Sequence, residues 1–149
     1  MFVYPQMATL LAMAKKNSSL DHAKHNEKVC NYLDKKPEFC DWVITTAFYS
    51  GLHYLLFKIF LQTIEVNNKK IKCDSFNKYC AVQGLNRGKY RILTGLVEKY
   101  VPDLSPYFNK LKDLSWTARY NNYEYSRDIS NDAKKQLKII KQGCISKTN

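Results

Sequence analysis

Trp42-Val-Ile-Thr-Thr-Ala-Phe-Tyr-Ser-Gly-Leu-His-Tyr-Leu-Leu-Phe57 decides the fold: it is 16 residues long, carries no formal charge and is apolar on nearly every face of a helix. A helix of that kind must be surrounded by others, which predicts a central helix from about Glu38 to Glu65. The β-branched residues also admit a buried strand, but about 25 residues without a turn signal favour the helix. The run falls short of the roughly 20 apolar residues a membrane span needs, and it contains His53. Ser50-Gly51 would let a neighbouring helix come close. Tyr49 and His53 stand four apart on one face, and His53 reads either as a hydrogen-bonded core residue or as part of a site.

Outward from this centre, Ser18 or Ser19 with Asp21 forms a loose capping box and opens a first helix from about Leu20 to Lys35, with Leu20, Ala23, Cys30 and Leu33 as its buried stripe. Residues 1–17 read as an extension, with a short helix possible from Met7 to Lys16. Residues 66–84 read as a long, basic and partly mobile connection. A helix from about Leu85 to Val101 stops before Pro102. Ser105-Pro106 restarts the chain, with Ser as N-cap and Pro in the first turn. The helix that follows places Tyr107, Leu111, Leu114 and Ala118 on one face. After a polar break from Asn121 to Arg127, a last helix runs from about Ser130 to Gln142 and ends at Gly143. The fold class is all-α, an antiparallel bundle of four to five helices in a single domain over residues 18–149.

Composition narrows the function classes. Lys and Arg number 24 against 13 Asp and Glu, a formal charge of +11. Residues 1–65 hold seven basic and six acidic side chains, whereas residues 66–149 hold 17 and seven. Such a basic half attracts nucleic acid, anionic lipid or an acidic protein, or is simply a solvated face. The five cysteines form no C-x-x-C pair and accompany no secretory signal. Reduced thiols in a cytoplasmic, soluble protein are therefore expected. His22, His25 and Cys30 lack a fourth ligand at a recognisable spacing, so neither a metal nor a cofactor is expected. Phosphate-loop, dinucleotide and zinc-protease motifs are absent. Lys134 to Lys141 leaves a membrane-docking helix as a minor alternative.

Three segments, Asp21-His-Ala-Lys-His-Asn-Glu27, Asp41-Trp-Val-Ile-Thr-Thr-Ala-Phe-Tyr-Ser-Gly-Leu-His53-Tyr54 and Ser115-Trp-Thr-Ala-Arg119-Tyr120, occur in this order over roughly residues 18–143. Together they resemble small bacterial members of the HEPN superfamily (higher eukaryotes and prokaryotes nucleotide-binding). The resemblance implies an antiparallel helical bundle, a homodimer and a place in a defence or toxin–antitoxin system. Many such proteins are metal-independent ribonucleases carrying an Arg-x4-6-His motif near the dimer interface. There the His moves the proton of a ribose 2′-OH while the Arg stabilises charge growing on the phosphate.

Arg119 stands at the place of that Arg, but Glu124, Tyr125 and Ser126 occupy the window for the His, and no His follows His53. An Arg kept without its His suits a site that binds phosphate rather than cleaving it. The expected function is a binding module for a nucleotide, RNA or a cognate protein partner, with Arg119, Tyr120, Asn121, Asn122, Tyr125, Tyr49 and His53 as its site. The alternatives are a divergent metal-independent endoribonuclease using Arg119 with Glu124 or His53, and an interaction protein using its basic face. Arg119 also reads as a cation at a helix C-terminus, and Tyr120, Tyr123 and Tyr125 as packing at a dimer interface.

Overall fold

The computed structural model describes residues 18–66 and 68–146; the short helix expected from Met7 to Lys16 lies outside them. The elements are α1 (Ser19–Leu33), α2 (Cys40–Ile59), β1 (Thr63–Val66), β2 (Lys69–Lys72), α3 (Phe76–Val82), α4 (Lys89–Tyr100), α5 (Ser105–Tyr120) and α6 (Arg127–Ile145). The fold is an all-α bundle with one small hairpin at its side. α2 is its centre: fourteen of its twenty residues are buried, so the apolar run is a helix enclosed on nearly all sides. Its two buried threonine hydroxyls turn back onto their own helix. Thr45 Oγ1 donates to the Asp41 carbonyl at 2.9 Å and Thr46 Oγ1 to that of Trp42 at 2.7 Å, which spares them the penalty of an unpaired buried group.

Pairings between helices fix their directions. Ser50 Oγ donates to the Ala23 carbonyl at 2.8 Å and Cys30 Sγ to that of Val43 at 3.5 Å, so α1 and α2 run antiparallel. Lys141 meets Glu27 at 2.8 Å and Lys134 meets Asp34, which sets α6 antiparallel to α1. Lys110 meets Asp132 at 2.6 Å, and Gly143 lies against Leu104, which sets α5 antiparallel to α6. A Cβ on Gly51 would lie 3.3 Å from Leu111 Cδ1 and 3.4 Å from Ile140 Cδ1, so the Ser50-Gly51 pair serves the close approach read from sequence: Gly51 to α5 and α6, Ser50 to α1. Tyr54 is fully buried, and its hydroxyl donates to Glu27 Oε2 at 2.6 Å, joining the Glu27–Lys141 pair across three helices.

Several boundaries differ from the sequence reading, each for a local reason. The Ser18–Asp21 capping box forms as expected. α2 stops at Ile59, not Glu65, because residues 63–66 alternate exposed and buried positions and pair with 69–72 in the register Thr63↔Lys72 to Val66↔Lys69. Asn68, at φ 60°, adopts the left-handed conformation a tight turn requires,. Residues 66–84 are thus no open connection: they hold this turn, β2 and α3, whose N-cap Ser75 accepts from the Lys78 amide at 3.2 Å. α4 starts at Lys89 because Gly88, at φ 68°, breaks the helix that was expected from Leu85. Ser105 is no N-cap; it lies in the first turn of α5 behind the 3₁₀ turn Pro102–Leu104. α6 starts earlier than expected, capped by Ser126, and continues through Gly143 to Ile145. Gly143 is therefore a packing residue and no helix stop: a Cβ there would sit 2.7 Å from Leu104 Cδ2.

Candidate functional site

Lys112, Trp116 and Arg119 fall at i, i+4 and i+7, which puts them on one face of α5. Across from them α4 presents Tyr90, Arg91, Thr94 and Glu98, and the two helices enclose an open groove of about 580 Å³. Arg119 is fixed within it. Its Nε donates to the Ser115 carbonyl, one turn back in α5, at 3.3 Å, and its Nη1 donates to the Tyr49 hydroxyl at 2.8 Å. The guanidinium carbon lies 5.2, 5.5 and 5.8 Å from the ring centres of Tyr120, Tyr49 and Phe48. Such an aromatic surround orients the planar cation without neutralising it. A guanidinium has five N–H donors; the two bonds above use two of them, leaving three without a partner among the described residues.

The groove's other polar groups are also held. Lys112 Nζ donates to Thr94 Oγ1 at 3.1 Å and to Asn109 Oδ1 at 3.2 Å. Burial, and then its hydrogen bond with Tyr90, raise the Tyr49 pKa, while Arg119 acts in the opposite direction. Tyr49 therefore stays a neutral phenol that positions Arg119. Trp116 is 54 % exposed and stacks at a tilt on Tyr120, with ring centres 4.6 Å apart. Three cations (Arg91, Lys112, Arg119) face two carboxylates (Glu98, Asp113). An aromatic plane beside fixed cations accommodates a base and a phosphate.

Arg119 is thus brought together with Tyr49 and Tyr120, but not with the remaining residues singled out in the sequence. Asn121 and Asn122 shape the chain after α5: both amides donate to the Thr117 carbonyl at 2.9 Å, and Asn122 Oδ1 accepts from the Glu124 amide. Glu124 and Tyr125 line a different depression, with Pro37, Glu38 and Cys40. His53 lines a third, of about 650 Å³, where its ring stacks on His22 with centres 4.9 Å apart. Burial and, after it, the neighbouring His22 push the His53 pKa down to about 4. Its Nδ1 is buried and has no hydrogen-bond partner among the described residues. Tyr90, Arg91 and Lys112 are groove residues that the motif reading passed over, and Trp116 stood within the Ser115–Tyr120 segment without a site role. The signal for the α5 pair was the spacing shared with Arg119.

No family model, no curated protein and no solved structure matches this chain.

Proposed function

We propose that this chain is a binding module for a nucleotide or RNA, with the groove between α4 and α5 as its site. The observation that carries the reading is Arg119, oriented by the Tyr49 hydroxyl and by the rings of Phe48, Tyr49 and Tyr120, and yet lining an open groove with unused donors. A phosphate takes the free N–H groups of Arg119 and the Lys112 ammonium, while a base stacks on Trp116. The resemblance to HEPN proteins points to the same ligand class, and it alone suggests a homodimer in a defence or toxin–antitoxin setting. Binding is preferred over phosphodiester cleavage because Arg119, Glu124 and His53 line three different depressions.

The test uses isothermal titration calorimetry, which needs no tryptophan as reporter. AMP, ATP and a short oligoribonucleotide are titrated in EDTA at low salt. Arg119→Ala and Trp116→Ala are each expected to weaken binding about tenfold or more, the size of a lost charged hydrogen bond or a lost stacked base. Unchanged affinity in both variants defeats the reading. RNA cut in EDTA by the parent protein, but left intact by Arg119→Ala, would replace it with the ribonuclease.

A further inference from the structure

The lysines of α1 and α6 make a second surface that the division of charge along the chain does not show. Lys24, Lys28 and Lys35 recur along one side of α1 and just beyond its end, and Lys134, Lys138 and Lys141 along α6. The two rows line two adjoining depressions that share Glu27 and Asn31. The carboxylates near this face are already neutralised. Glu27 accepts from Lys141 and Tyr54, and Asp34 from Lys134 and Arg127. Lys24, Lys28, Lys35 and Lys138 are exposed and have no ion pair among the described residues. Residues 1–17 contain no Asp or Glu that could supply one.

From this charge balance we infer that the α1–α6 face grips the phosphate backbone of a single-stranded nucleic acid without reading its sequence. Lys24 and Lys28 are separated by a rise of about 6 Å along α1, and Lys35 extends the row past the helix end, a length over which an extended strand carries more than one phosphate. The charges are lysine ammoniums, point charges with no planar fork for base edges. Tyr32, 61 % exposed, interrupts the α1 row as an aromatic platform does in single-strand grooves. A membrane surface fits less well. Tyr32 and Ile145 are the only large apolar side chains exposed on this face among the described residues, whereas interfacial helices insert several. The face is separate from the α4–α5 groove and does not depend on what that groove binds.

The experiment measures fluorescence anisotropy of a labelled oligouridylate of about 12 nucleotides against salt, for the parent protein, Lys24→Glu/Lys28→Glu/Lys138→Glu and Arg119→Ala. None of the three lysines makes an ion pair within the described residues, so the triple variant is expected to fold; circular dichroism and the thermal midpoint check this. The matching Lys→Arg triple keeps the charge and controls for surface damage. The charge-reversed triple is expected to lose affinity about tenfold or more and to show a salt slope shallower by about two, while the Lys→Arg triple retains both. AMP or ATP binding at the groove is unaffected. Loss in the triple but not in Arg119→Ala supports the face and removes the groove; loss in Arg119→Ala alone overturns the face and leaves the groove. Displacement of the oligonucleotide by polyglutamate at equal charge also overturns it. So does preferential binding to vesicles of phosphatidylcholine and phosphatidylserine.

Discussion

His53 sits at the edge of the core with one ring nitrogen buried and unpartnered among the described residues, and burial holds its pKa near 4, against an ordinary 6.5. As pH falls through about 6.5 the unfolded chain takes up the His53 proton, whereas the folded chain resists until about 4. The unfolded state binds more protons across that window, so stability is lost on acidification and the loss levels off below it. Part of the ring still reaches solvent, and the loss attributable to this residue is about 1–2 kcal/mol. Urea unfolding of the parent and His53→Gln at neutral and mildly acidic pH checks this: the variant is expected to lose less stability on acidification, and parallel pH profiles would refute it. The same residue marks where reading the site from sequence fails. Tyr49 and His53 share a helical face by spacing, yet Tyr49 turns to Arg119 and His53 to His22, because neighbouring helices part the two side chains. Arg119 and Tyr120 were legible as a pair within one turn. Tyr90 and Arg91 were not, since only the packing of α4 on α5 brings them there.

Helices with a continuous apolar face were legible as elements; their ends were not. α2 was evident from 16 uncharged residues, but its end at Ile59 depends on a hairpin of only four residues per strand, with an alternation of burial that spans the four residues of β1. That hairpin is tied to the bundle through the Glu65 amide, which donates to the Tyr100 hydroxyl at 2.9 Å, a contact separated by 35 residues. Gly143 misled because a glycine near the end of a periodic run resembles a stop, whereas its role is to admit Leu104. Two glycines in helices separate these roles experimentally. At Gly95, in α4, no atom lies within 4 Å of an added Cβ, so Gly95→Ala is expected to stabilise the protein by about 0.5–1 kcal/mol through helix propensity,. At Gly143 the same gain is opposed by contacts of 2.7 and 3.0 Å with both methyls of the buried Leu104. Overpacking of that kind typically outweighs propensity, so Gly143→Ala is expected to destabilise by about 1 kcal/mol. Thermal unfolding of the two variants decides it: shifts of the same sign would mean that Leu104 simply moves aside.

Across the whole molecule, linear charge and spatial charge diverge. The N-terminal half is nearly neutral in sequence, yet three of its lysines join α6 in one basic face because α1 and α6 are neighbours. The cysteines show the complementary case, scattered in sequence and uniformly buried in the fold. Burial pushes the Cys30 thiol up to about 11 and that of Cys144 up to about 12, and it raises Cys80 as well. The thiolate is the reactive form, so access and ionisation both protect these residues in the native state, and labelling must wait for the chain to open. The openings need not be equal. Cys73 and Cys80 belong to the hairpin–α3 segment beside the bundle, whereas Cys30 and Cys144 lie on α1 and α6 against α2. Segments with less packing open at lower free energy than the central helices. A disulfide-exchange reagent at neutral pH is therefore expected to find little immediate reactivity in the native protein and all five thiols in denaturant. In a native time course followed by peptide mass spectrometry, Cys73 and Cys80 are expected to label before Cys30 and Cys144. Equal rates at all four sites would instead mean that hairpin and bundle unfold as one cooperative unit, and that the side segment has no mobility of its own.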